Sequence, residues 1–150
     1  MIEAKKTKIS GNFEKGGVFL EGQESMKPQP LGKQGELLAA NYLIAQGYTL
    51  LEANYMNRRG YRVGELDIIA KDPDGQIVFV EVKSLRGTKE GALPEANLTN
   101  QKLRKIIKAA NHFLRKRQLW GAEWRIDLVA IVFDFSIRKS HLRHIKAIRY

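Results

Sequence analysis

Residues 64–83 read Gly-Glu-Leu-Asp-Ile-Ile-Ala-Lys-Asp-Pro-Asp-Gly-Gln-Ile-Val-Phe-Val-Glu-Val-Lys, and they decide the fold. Two apolar, β-branched runs flank Pro73-Asp74-Gly75. Each of those three residues favours a turn for its own reason: a fixed φ, a side chain that bonds its own backbone, and freedom at positive φ. The stretch therefore predicts an antiparallel hairpin. Alternation puts Ile77, Phe79, Glu81 and Lys83 on one face of the second arm and Val78, Val80 and Val82 on the other. Glu65, Asp67 and Ile69 share a face of the first arm. A four-residue loop pairs Lys71 with Gln76 and sets Asp67 against Val80. One bulged residue instead sets Asp67 against Glu81. In that register two carboxylates stand about 5 Å apart at Cβ, with Lys83 further along the same face. They repel unless a cation lies between them. The alternative is an edge hairpin whose outer face is solvated, with Glu81 and Lys83 as surface charges.

The chain has 150 residues, 43% of them hydrophobic and 28% charged. That is enough for one domain with a real core. A net charge of +10 points to a polyanionic partner, most simply nucleic acid. The chain contains no cysteine, which excludes disulfides, thiolate chemistry and zinc–thiolate sites. No apolar run approaches the roughly 20 residues that span a bilayer, and no basic start precedes an apolar stretch. The expectation is a cytoplasmic protein with no membrane partner.

Residues 1–30 read as a flexible N-terminal extension, with five Lys against four Glu and prolines at 28 and 30. Residues 31–150 read as a single domain. A helix is expected over residues 31–46, with Leu37, Ala40 or Asn41, and Ile44 on its buried stripe and Leu38, Tyr42 and Ala45 beside it. Gly47 closes it. Glu36 lies in its first turns, either favoured there by the helix dipole or aimed at the hairpin. Residues 48–53 read as a strand. The loop after it carries Arg58, Arg59 and Arg62 among Tyr55 and Tyr61, which suits phosphate contact and base stacking or plain solvation. Residues 84–97 form either a mobile flap or an ordinary connection. A second helix starts after Thr99 as N-cap and buries Leu103, Ile106, Ile107, Ala110 and Leu114. Lys102, Arg104, Lys105, Lys108, Arg115, Lys116 and Arg117 cover the rest, with no acid between Gln101 and Gln118. A solvated helix usually mixes signs, so this face reads as a phosphate-binding surface. Residues 124–133 form a central strand in which Arg125 and Asp127 can pair, and residues 142–148 form a last, more polar one. His112, His141 and His144 lack metal-ligand spacing and read as surface residues. The order predicts an α/β domain with a mixed sheet, its first three strands antiparallel, and a helix on each side.

At this point the pattern resembles a family. Gly35-Glu36 with Ala39, Ala40, Tyr42 and Leu43, then Gly47-Tyr48, residues 64–70, Val78 to Lys83, and Arg125-Ile126-Asp127 resemble the small bacterial YraN-type proteins. These are endonuclease-like members of the PD-(D/E)xK superfamily, related in fold to archaeal Holliday-junction resolvases. The resemblance implies a restriction-endonuclease-like fold with a mixed five-stranded sheet in the order αβββαββ. It implies Asp67, Glu81 and Lys83 as catalytic residues, Glu36, Asp67 and Glu81 as metal ligands, and Lys102 as an auxiliary position. Leu66 stands where the superfamily motif has proline. Oxygen ligands alone suit Mg²⁺ or Mn²⁺. Arg58, Arg59, Arg62, Lys102, Lys105, Lys108 and Arg115 are the candidate nucleic-acid contacts. The expected activity is phosphodiester hydrolysis in DNA, branched or otherwise structured, with a homodimer suggested by analogy. The alternative is a non-catalytic nucleic-acid-binding module with a relict site.

Overall fold

The structure is a computed structural model that describes residues 9–10, 17–20, 30–56, 64–91 and 93–148. Two short strands, β1 (Ile9–Ser10) and β2 (Gly17–Leu20), come first. Then follow α1 (Leu31–Ala45), β3 (Thr49–Met56), β4 (Glu65–Lys71), β5 (Ile77–Arg86), α2 (Asn100–Lys116), β6 (Trp124–Asp134) and β7 (Lys139–Ile145). From α1 onward the order is αβββαββ, as the sequence implied. The five strands of this domain form one mixed sheet. β3, β4 and β5 are antiparallel, β5 and β6 are parallel, and β6 and β7 are antiparallel. The short strands β1 and β2 add at the β7 edge and bring the sheet to seven strands. The remainder of the extension lies outside the described residues.

The hairpin adopts the bulged register. Lys71 pairs with Ile77 and Ile68 with Val80, so one further step along the ladder sets Asp67 against Glu81. The turn is fixed by Asp72, whose Oδ1 accepts from the backbone N–H of Asp74 and of Gln76. Gly75 takes φ +88°, a conformation that costs glycine nothing.

The parallel β5–β6 pair needs a crossover, and α2 supplies it. Both faces of the central strands are therefore covered. On one face Leu38, Ala39 and Leu43 of α1 pack on Ile68, Val78, Val80, Val129 and Ile131. On the other, Leu103, Ile106, Ala110 and Phe113 of α2 pack on Ile69, Ile77, Phe79 and Ile126. Phe113 stands edge-on to Phe79 at 5.9 Å between centroids. Thr99 caps α2, its Oγ1 accepting from Lys102 N–H; the buried stripe of α2 holds Leu103, Ile106, Ala110 and Leu114 as expected, Ala109 and Phe113 join it, and Ile107 is only partly buried at its edge.

The expected stripe of α1 is rotated. Leu37 and Ile44 are more than half exposed, and Gly35, Leu38, Ala39 and Leu43 are buried. The cause is one close approach. A Cβ on Gly35 would overlap Ser84 Oγ and meet Val82 at 3.7 Å, so the helix lays its small residues, Gly35 and Ala39, on β5. Leucines sit on both sides of this helix, and periodicity alone could not choose between them.

Candidate functional site

The hairpin register, the glycine contact and the start of α2 converge on one point. Glu81 lies in mid-strand and is 2% exposed. Its Oε1 receives the ammonium groups of Lys83, at 2.8 Å, and Lys102, at 3.2 Å. Its Oε2 is buried and meets no donor among the described residues. Leaving a carboxylate oxygen buried and unpaired is costly, and such an atom fits a cation-binding position.

Asp67 stands one residue beyond the last pair of the β4–β5 ladder, Ile68 with Val80. Its Oδ2 accepts from the Val82 N–H at 2.8 Å, so the carboxylate takes over where the backbone pairing stops. Burial pushes its pKa up to about 6, and the Glu81 charge adds to the shift; the Val82 N–H and Lys102 oppose it, while Glu36 also raises it. Three carboxylates are thus electrostatically in touch at this spot. Glu36 is brought there by Gly35, one residue earlier, which seats the start of α1 on β5. It is half-buried and pairs with Lys33 at 3.2 Å. Asp67, Glu81 and Glu36 are the oxygen donors on offer. Among the described residues no three acids or histidines close into a ready-made ligand set.

Gly64 fixes the entry to β4. Its φ is +151°, and a Cβ there would stand 2.7 Å from the Lys105 carbonyl oxygen. That contact presses the start of the Glu65-Leu66-Asp67 run against α2.

The outer face of α2 exposes Arg104, Lys105, Lys108, Arg115, Lys116 and Arg117. Lys102, on the first turn, links that face to Glu81. At the far end Arg117 pairs with Glu52 at 3.0 Å, so the charge is least compensated in the middle and first half of the helix. Arg58, Arg59 and Arg62 lie outside the described residues. Of the stretch read as a flap or a connection, the first three residues continue β5, and Pro94–Asn97 form one 3-10 turn.

The chain carries the residues of a recognised family. The family described as "Uncharacterised protein family UPF0102" matches residues 35–131. A UPF0102 protein of Persephonella marina is 43% identical over 115 residues, 77% of this chain and 89% of that one. One from Chlorobium limicola is 43% identical over 107 residues, 71% of this chain and 78% of the relative. The chain belongs to the UPF0102 family. A UPF0102 protein of Desulforamulus reducens is matched over 97% of its length at 35% identity. The matched region of this UPF0102 chain contains Glu36, Asp67, Glu81, Lys83 and Lys102. A repair endonuclease from Pyrococcus abyssi aligns with 75% of this chain and 41% of that one at 17% identity and a TM-score of 0.39, a distance at which the likeness decides nothing about this chain.

A second polar cluster gathers around Arg125 and Asp127 in the first half of β6, the ladder partners of Val78 and Val80. Arg125 donates to Asp72 Oδ2 and Gln76 Oε1, both at 2.6 Å, to Tyr48 Oη at 3.2 Å, and to Asp127 Oδ1 at 3.0 Å. Asp127 is fully buried and also receives the Ala147 N–H at 2.8 Å and lies 2.9 Å from His144 Nε2. The pairing of Arg125 with Asp127 was legible in the sequence. The reading of the histidines as surface residues was not correct. The His144 side chain is 5% exposed, His112 Nδ1 bonds Tyr55 Oη at 2.6 Å, and His141 Nδ1 is buried. The partners of His112 and His144 come from strands distant in the sequence, so local spacing carried no signal.

Proposed function

We propose that this chain is a metal-dependent nuclease that binds DNA and hydrolyses its phosphodiester bonds, with branched or structured DNA as the favoured substrate class. The observation that carries the reading is Glu81. An ionisable group is held almost fully buried in mid-strand, beside a second carboxylate whose pKa is raised, with one oxygen unpartnered. A strand that served packing alone would carry an apolar residue there.

Asp67 and Glu81, with Glu36 behind them, would hold Mg²⁺ or Mn²⁺. When bound, such an ion supplies a water acidified towards neutral pH and positive charge against the phosphate. The chain's own groups do the rest. Asp67 is oriented by the Val82 N–H, and the orientation costs nothing during reaction because the ladder fixes it. Lys83 shares Glu81 Oε1, so it stands beside the place where an attacking water would lie, and it orients that water or stabilises the charge that develops on phosphorus. Lys102 neutralises Glu81 from the helix side and carries the positive face of α2 up to the site. That face tracks the phosphate backbone.

The test is cleavage of branched and linear DNA with Mn²⁺ or Mg²⁺ by wild type and by Asp67→Ala. The expected outcome is ion-dependent cleavage by wild type and its loss in the variant. Equal cleavage by both would mean that Asp67 is not part of the machinery. DNA binding without cleavage on every substrate would favour a binding module.

A further inference from the structure

A cavity of about 310 Å³ lies next to this site. Its floor is apolar, made by Ala130 and Val132 of β6, with Pro94 and Leu93 beside them. Ala130 is the parallel-strand partner of Lys83, so the cavity begins one strand away from the proposed reaction centre. Leu93 is 58% exposed, a large apolar side chain held in water at the rim. Two cationic side chains, Lys89 and Arg143, line the opening, and His141 joins them. The His141 Nδ1 atom is buried without a partner among the described residues. Asp134, at the end of β6, is within electrostatic reach of His141, and its Oδ1 accepts from the Ser136 N–H at 3.0 Å and from its hydroxyl.

We infer that this cavity binds one unpaired nucleotide of the DNA substrate, a reading that rests on the function proposed above. The lining has the two chemistries a nucleotide needs. The apolar floor and the Leu93 wall take the faces of a planar base, which every base can offer. Lys89 and Arg143 at the mouth take the flanking phosphates. His141, beside them, adds an imidazole edge to the lining. The volume matches a single nucleotide and is at the small end of ligand pockets. A base pair is too wide for it, so occupancy requires a nucleotide outside the duplex. Its position beside Lys83 means that the captured nucleotide lies next to the scissile phosphate. The cavity therefore selects DNA in which a base is already free, because capture from an intact duplex costs unstacking and unpairing.

The experiment uses two DNA hairpins of one sequence, one with a single bulged 2-aminopurine and one with that base paired. Both are bound to the full chain in EDTA, so that no cleavage intervenes. Affinity and 2-aminopurine emission are read together. The expected result is binding of the bulged hairpin about tenfold tighter, with a change in emission that the paired hairpin does not show. Val132→Phe fills the cavity and should abolish both effects. Leu93→Ser, at an exposed position where folding is not at stake, should reduce the preference to less than threefold. Equal affinity for the two hairpins, or a preference that survives both substitutions, overturns the inference. Cleavage in Mn²⁺ is measured separately. A chain that cuts DNA but shows no preference loses this inference alone. A chain that captures the bulged base but never cuts loses the hydrolase reading alone.

Discussion

Asp67 carries the clearest electrostatic signature among the acids of the site. Its carboxyl is raised to about 6 by burial and by the Glu81 charge. A carboxyl whose folded pKa lies above its unfolded value binds a proton more readily when folded, so stability is lost as pH rises from about 4 to about 6 and stays low above that. Asp67→Asn removes the charge and keeps an oxygen for the Val82 N–H. The variant should be more stable than wild type at pH 8 by about 1–2 kcal/mol, after allowance for screening, and no more stable at pH 4. Urea unfolding at the two pH values checks this. Mn²⁺ should raise the stability of wild type at pH 8 and leave that of the variant unchanged. Glu81 and Lys83 were visible in the sequence because a strand this apolar has few reasons to carry either. The depth of Glu81 was not visible, since the face they share is solvated in an edge hairpin and covered once α2 packs across it.

At the scale of the element, two helices are placed by backbone contacts that residue patterns only hint at. Gly35 lets α1 touch β5. Gly35→Ala forces a Cβ into Ser84 and should cost about 1–3 kcal/mol while lowering ion-dependent cleavage, because Glu36 moves with its helix. Adding Ser84→Ala should restore part of the stability, since the Ser84 hydroxyl is the atom overlapped and is itself buried without a partner. Denaturant titration of the single and double variants checks both statements, and equal loss in the two would place the clash elsewhere. The second helix is read through its charge. Lys105, Lys108 and Arg115 share its exposed side. Reversing all three to Glu should weaken DNA binding across sequences and flatten the dependence of log affinity on log salt by about 3. An unchanged slope would exclude that side as the contact. Its basic run was legible because nothing acidic interrupts it; the polarity of the helix relative to the site was decided by the parallel crossover.

For the molecule as a whole, the Arg125 cluster ties the hairpin turn, the entry to β3, strand β6 and the residues after β7 into one unit. Burial alone would raise the carboxyls of Asp72 and Asp127, yet both are held below the usual carboxylate range. Arg125 and backbone N–H groups do this for Asp72, and His144, Arg125 and the Ala147 N–H do it for Asp127. Groups with depressed pKa stabilise the fold above the unfolded value near 4 and lose that contribution as pH falls through the folded values. Arg125→Met strands Asp127 in the interior and should cost about 3–5 kcal/mol at pH 7. The deficit should shrink at pH 3, because the stranded carboxyl of the variant takes up a proton before its paired counterpart in wild type does. Urea unfolding at both pH values tests it; a deficit equal at the two would mean that packing, not charge, is what Arg125 supplies.

The sequence by itself determined the elements and the chemistry on offer. Alternation and the Pro-Asp-Gly turn set the hairpin, β-branched runs set the central strands, and an uninterrupted basic run set the charge of the exposed face of α2. Those signals are local, and local spacing carries them. The tertiary structure alone decided the register that sets Asp67 against Glu81, the face of α1 that packs, the burial of His144 and the cavity beside Lys83. Each of these depends on which atoms meet across strands and helices distant in the chain, and contact free energies of that kind leave no mark in the order of residues.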